Sequence, residues 1–106
     1  MVLHLLEEEA KLHEGYRRVF DVGGRRLLLL QHAGQVYLLD NICPHAGYPL
    51  EAGRINDAAE IRCPMHGYLF DLNSGDCTYS TEGPCGAVET FAVQRQDEWI
   101  GVELEA

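Results

Sequence analysis

An all-β fold is what this sequence predicts, and three observations predict it. Turn-forming pairs and triplets recur at short intervals: Gly23-Gly24, Ala33-Gly34, Asn56-Asp57, Asn73-Ser74-Gly75, Gly83-Pro84 and Gln96-Asp97-Glu98. Between them lie short runs rich in Val, Leu, Ile, Tyr and Phe, which is the spacing of hairpins. Toward the C-terminus these runs alternate apolar with polar residues, the mark of half-buried antiparallel strands.

Taken in order, residues 16–22, 25–32 and 35–40 read as three consecutive strands joined through Gly23-Gly24 and Ala33-Gly34. Residues 69–72 and 76–79 make a hairpin around Asn73-Ser74-Gly75, and residues 52–61 look like another short one. Residues 88–95 read as a single strand, with Phe91 and Val93 on one face and Thr90 and Gln94 on the other. Residues 99–105 place Ile100, Val102 and Leu104 opposite Glu103 and Glu105. Residues 7–12 have room for one helical turn and no more. No linker or low-complexity tract interrupts the chain, so residues 1–106 are expected to form a single domain, a length that suits one core.

Composition narrows the function classes. A formal charge of −9 argues against nucleic acid, because phosphate binding needs a basic face. Such a surface keeps a chain soluble and steers it toward basic patches on partners. The basic pairs Arg17-Arg18 and Arg25-Arg26 read as solvated strand ends. The longest apolar run, residues 27–30, is far too short for a bilayer. The first residues, MVLHLLEEEAKL, are acidic where a signal peptide would be basic. The expectation is a cytoplasmic protein without a membrane partner. In that compartment cysteines favour metal binding or free thiols over disulfides.

Two stretches carry the chemistry. ICPHAGYPL (42–50) and RCPMHGYLF (62–70) nearly repeat each other, each with Cys-Pro, then His, Gly and Tyr. They place four candidate ligands, Cys43 and His45 in the first loop and Cys63 and His66 in the second. Thiolate with imidazole suits zinc, copper or an iron–sulfur centre, and the absence of nearby carboxylates disfavours calcium and magnesium. Zinc can take two Cys and two His, but zinc fingers usually pair like with like, whereas here each loop gives one of each. Cys-x-His is also a tight bite for one metal. Two irons relieve it, because each loop can then send its Cys to one iron and its His to the other. Pro44 and Pro64 stiffen the chain beside each Cys, and Gly47 and Gly67 permit a tight turn with free backbone N–H groups.

Cys-x-His with Cys-x-x-His resembles the Rieske 2Fe–2S family, in which two His replace two Cys on one iron. Pro44, Gly47, Pro64, Gly67, the segments PLEAGRI and FDLNSGD, and Gly83-Pro84 extend the resemblance over essentially the whole chain. It implies an antiparallel β-sandwich with a small cluster-binding subdomain formed by two loops, about 42–51 and 62–71. It implies one 2Fe–2S cluster with Cys43 and Cys63 on the inner iron and His45 and His66 on the outer, and Gly83-Pro84 in a third loop covering the cluster. High-potential members have an additional Cys in each loop, and Ser and Tyr donors after the second His. Here those positions hold Tyr48, Met65, Tyr68 and Phe70. Fewer hydrogen bonds to sulfur place the potential at the low end of the Rieske range of roughly −150 to +300 mV.

What the resemblance implies is an electron carrier and not an enzyme, with no catalytic residue. It looks like the monomeric ferredoxin component of a bacterial oxygenase system, taking electrons from an NAD(P)H-dependent flavin reductase and passing them to a terminal oxygenase. Glu51 belongs to an expected acidic rim that guides docking. Two alternatives are a Rieske-like small subunit of an assimilatory nitrite reductase and a structural zinc domain that binds proteins. Cys77 and Cys85 lie outside the ligand spacing and read as free thiols, a disulfide between them being disfavoured in the cytosol. His4, His13 and His32 read as surface residues, and Tyr37, Leu39, Phe91 and Trp99 as packing.

Overall fold

Strand β3 explains why the chain stacks in layers. It carries four successive leucines, Leu27, Leu28, Leu29 and Leu30, each 0% exposed. Side chains of a strand point alternately to its two faces, so an unbroken apolar run is stable only where both faces are covered. The structure is a computed structural model that describes residues 1–44, 47–81, 83 and 85–105. These residues form β1 (Val2–Glu8), β2 (Arg17–Val22), β3 (Arg25–His32), β4 (Gln35–Asp40), β5 (Glu60–Arg62), β6 (Leu69–Asp71), β7 (Cys77–Tyr79), β8 (Thr90–Phe91), β9 (Gln94–Gln96) and β10 (Trp99–Leu104).

They pair into three antiparallel sheets, β1-β10-β9, β2-β3-β4-β8 and β5-β6-β7. The four-stranded sheet is the middle layer. Leu27 and Leu29 pack with Val22 and Leu38 against Ile100, Val102 and Leu104 of β10. Leu28 and Leu30 pack with Leu39 against Ile61, Phe70 and Leu72 of the small lobe, in the cluster that also holds Cys43 and Cys63. One strand thus joins the scaffold core to the core beneath the candidate site. No α-helix occurs among the described residues, and none of their helices is long and apolar enough to cross a membrane.

The hairpins fall where the turn residues put them. Gly23 and Gly24 take φ of +56° and +80°, the two-residue turn whose twist matches the flanking strands. Ala33 takes φ +51° without being glycine, and the Glu14 carboxylate accepts hydrogen bonds from the Ala33 and Gly34 amides at 2.7 and 3.1 Å. Those two bonds hold the Glu14 carboxyl below its ordinary range. The expected hairpin over 52–61 is present as a bridge between Ile55 and Ile61 leading into β5.

Several expectations need correction. Residues 88–95 are two short strands: β8 pairs with β4, and β9 pairs with β10. The chain changes sheets between Phe91 and Gln94, and its alternation reflects burial against two different partners. Residues 2–8 form a strand that the sequence did not announce, because their Leu and Glu content favours helix and only pairing with β10 overrides it. The expected helical turn is reduced to a 3-10 turn at Glu9–Lys11. A register shift between Leu5 and Glu7 turns Glu7 inward, where Tyr16 donates its hydroxyl to the carboxylate at 2.8 Å. Finally, Arg17 is more than a solvated strand end: its Nη1 donates to the carbonyls of Glu51, at 2.7 Å, and Gly53.

Candidate metal centre

The two matched nonapeptides fold as matched loops. In the first, the Cys43 amide donates to the Tyr48 carbonyl and the Gly47 amide to the Cys43 carbonyl, both at 2.8 Å. In the second, the Cys63 amide donates to the Tyr68 carbonyl at 2.8 Å and the Gly67 amide to the Cys63 carbonyl at 2.9 Å. Each glycine has positive φ, +65° at Gly47 and +76° at Gly67, so an L side chain there would strain the turn. The repeat in the sequence is therefore a repeat of backbone hydrogen bonding, with Cys, Gly and Tyr at equal offsets. The histidines break that equivalence: His66 is one position further along its loop than His45 is along the first, and Met65 occupies the offset that matches His45.

Each loop is held at its base by different means. The second closes the β5–β6 ladder, with Arg62 opposite Leu69. The first leaves β4 and is closed by Asn41, a buried side chain whose Oδ1 accepts from the Leu50 amide at 3.0 Å. Gly53 sits where the two loops meet. A Cβ built there would lie 2.1 Å from the Arg62 carbonyl oxygen. Sequence reasoning passed over Asn41, gave Gly53 no role beyond the PLEAGRI segment and read Arg17 as a solvated strand end. Asn41 carried the one available signal, a polar residue between an apolar strand and the first Cys.

Cys43 and Cys63 are 1% and 0% exposed and share one buried cluster with Leu50, Tyr68 and Phe70. His66 lies on the exposed side, its ring 6.3 Å from that of Tyr68. His45, like Pro84 of the third loop, lies outside the described residues. Among the described residues no group of three His, Cys, Asp or Glu side chains is placed to hold a metal ion. A two-iron cluster asks for two ligands on each iron. Two thiols inside an apolar cluster and an imidazole at the surface fit that division, with soft anionic ligands shielded and a neutral one facing out.

The surroundings of the loop tips are apolar more than acidic. Ile42, Tyr48 and Met65 are exposed, Met65 at 51%. The Arg62 guanidinium lies along Gly67, Nη2 being 2.9 Å from a Cβ built there. The exposed Glu51 engages Arg17 through its carbonyl. Tyr68 and Phe70 are both buried in the cluster, consistent with packing. Cys77 and Cys85 are free and half-buried against the same cluster. Burial above all, then a hydrogen bond with the Cys77 thiol and the nearby sulfurs of Cys77, Cys43 and Cys63, pushes the Cys85 thiol up to about 12. Among the remaining histidines, His13 is exposed, His32 is half-buried, and the Nε2 of His4 is buried without a hydrogen-bond partner, so His4 is not the surface residue expected.

Known proteins are similar to this chain in sequence and in fold. Apoptosis-inducing factor 3 of Mus musculus is 35% identical over 65 residues, which cover 61% of this chain and 11% of that protein. The ferredoxin component of the alkene monooxygenase system of Xanthobacter autotrophicus is 34% identical over 64 residues, covering 60% of this chain and 52% of that protein. The chain therefore spans about a tenth of one relative and about half of the other. In fold it is similar to the ferredoxin of carbazole 1,9a-dioxygenase from Nocardioides aromaticivorans IC177, with a TM-score of 0.84, 24% identity and coverage of 99% of this chain and 100% of that one. The model of the Rieske 2Fe-2S domain matches residues 3–92, so both loops, the small lobe and the middle sheet fall within the match, and the chain belongs to the Rieske 2Fe-2S domain family.

Proposed function

We propose that this chain is a one-electron carrier, a Rieske ferredoxin that takes electrons from a flavin-dependent reductase and delivers them to a terminal oxygenase. Residues 1–106 act as a single Rieske domain, with Cys43, His45, Cys63 and His66 as the four ligands. The observation that carries the reading is the pair of buried thiols on twin loops, with His66 exposed beside them. The ferredoxin component of the alkene monooxygenase system supports the choice of an oxygenase partner.

When bound, the cluster accepts and returns one electron at a time. The chain's own residues govern access to it. Cys43 and Cys63 keep their sulfurs in the apolar interior under Leu50, Tyr68 and Phe70, away from solvent. His66 presents its ring at the surface, where a partner can approach closely. Ile42, Tyr48 and Met65 give that approach an apolar face that sheds water easily.

The test is the metal content and potential of purified protein. Two irons and two acid-labile sulfides per chain, with zinc absent, are expected. His66→Cys should then lower the potential, on the order of 100 mV, because thiolate replaces a neutral ligand. A colourless zinc protein without sulfide would instead support the structural-domain alternative, and an unchanged potential would remove His66 from the ligand set.

A further inference from the structure

We propose that Arg54 and Arg62, backed by Arg17, form a cationic docking patch beside the second loop, which receives a carboxylate-bearing surface of the protein that exchanges electrons with this chain. The proposal rests on the electron-carrier reading for the identity of that partner. The observation behind it is where ion pairing stops. Acidic residues outnumber basic ones 17 to 8, so carboxylate partners are abundant. Lys11, Arg18, Arg25, Arg26 and Arg95 each pair with at least one carboxylate. The other three basic residues, Arg17, Arg54 and Arg62, form no ion pair among the described residues.

Those three converge on one segment. Arg17 reaches the carbonyls of Glu51 and Gly53 from β2, and the Arg62 amide donates to the Arg54 carbonyl at 2.8 Å. Arg54 and Arg62 are exposed and line, with Ala52, Gly53 and Pro64, a depression of about 220 Å³. The Arg62 guanidinium lies along Gly67, its Nη2, Nε and Cζ within 3.3 Å of a Cβ built there, so the missing side chain makes room for the cation next to His66. The neighbouring acids do not neutralise the group. Glu51 meets Arg17 only through its main-chain carbonyl, and Glu60 turns its carboxylate to Asn56 Nδ2 at 2.8 Å. Like charges held this close repel one another, and an added carboxylate is what relieves them. A guanidinium fork fits a carboxylate with two parallel hydrogen bonds. On a chain of net charge −9, a positive patch beside one loop tip draws an acidic surface to that end and repels it elsewhere, which fixes the orientation of approach.

The experiment uses the iron-loaded protein, reduced with dithionite, freed of excess reductant and mixed with one of two oxidants at low ionic strength. Each chain passes one electron to anionic ferricyanide, giving ferrocyanide, or to cationic hexaammineruthenium(III), giving its ruthenium(II) form. The ratio of the two rates cancels a change in potential and reads the charge beside the electron port. In Arg54→Gln/Arg62→Gln the ferricyanide-to-ruthenium ratio should fall about tenfold. Lys11→Gln/Arg95→Gln removes the same two charges from the outer layer, across the middle sheet from the small lobe, and should change the ratio less than about twofold. Hexaglutamate should slow ferricyanide oxidation of the native protein about threefold, less so with added salt, and leave Arg54→Gln/Arg62→Gln unaffected. The proposal fails if the two double variants behave alike or if hexaglutamate gives no protection. It also fails if inorganic phosphate at equal ionic strength protects as well as the peptide, the mark of a small-anion site. Absence of any spectral change with either oxidant would instead overturn the electron-carrier reading, so the two failures have different signatures.

Discussion

The two Cys-Pro loops have the same interior and different foundations. Each ties its Cys amide to a Tyr carbonyl and its Cys carbonyl to a Gly amide, with distances that agree within 0.1 Å. That inner pattern is local, set by Cys-Pro at one end and Gly-Tyr at the other. The foundations are tertiary. The second loop stands on a β-ladder between Arg62 and Leu69. The first stands on the Asn41 amide and on a following segment that Arg17 fastens through the Glu51 and Gly53 carbonyls. The lesson is that the repeated motif dictates the shape of its loop but not where that loop is anchored.

The largest way to break the comparison is to disturb both loops at once. Gly53→Ala would drive a methyl against the Arg62 carbonyl, one residue before Cys63, and displace the backbone that Arg17 grips. A cost of about 3 kcal/mol is expected, and a fall in Tm of roughly 15 °C. Thermal unfolding followed by circular dichroism checks it, and a shift of only a degree or two would mean the two segments do not touch as described.

Asn41→Ala separates the loops. It leaves the buried Leu50 amide without its acceptor and should cost about 1–3 kcal/mol. Amide exchange should speed up at Leu50 while the Arg62–Leu69 pairing stays protected. Equal loosening of both loops would deny them independent foundations.

Smaller effects belong to the scaffold, away from either loop. Burial raises the Glu7 carboxyl, but the Tyr16 hydroxyl, the Glu8 amide and the charges of Lys11 and Arg18 together outweigh it and hold it below its ordinary 4.5. A depressed folded value means the stabilisation is complete above 4.5 and is lost as pH falls through the lower folded value. Burial first, then the bond to Glu7, pushes Tyr16 up to about 12 from 10, so its stabilisation is lost as pH rises from 10 toward 12. Tyr16→Phe should cost about 1 kcal/mol near neutrality and flatten both limbs in urea titrations across pH, with the visible spectrum of the loaded protein unchanged. Retention of both limbs would remove the pair from the account. The smallest effect is a gain: Glu98 sits at φ +70° in the β9–β10 turn, and Glu98→Gly should stabilise by about 0.5 kcal/mol in the same titrations.

Much of this was legible in the residues. The β2–β3–β4 meander appears where Gly23-Gly24 and Ala33-Gly34 place it, because those turns are specified by the residues at their corners. The likeness of the two loops was legible in their repeated Cys-Pro and Gly-Tyr pairs, which fold with the same backbone bonds. What stayed hidden depends on partners distant in the chain. β1 is a strand only because β10 lies beside it, and residues 88–95 divide because two different sheets claim them. Arg17 looked like surface until its carbonyl partners, more than thirty residues on, came within reach. His4 read as exposed because nothing local indicates that its ring is covered.

The central claim, a two-iron cluster gripped by one Cys and one His from each loop, is tested most directly by the electron paramagnetic resonance spectrum of the dithionite-reduced protein. Mixed imidazole and thiolate ligation predicts a rhombic signal with a low average g value, lost in His66→Cys. A signal of the all-cysteine type, or none from iron-loaded protein, would contradict it.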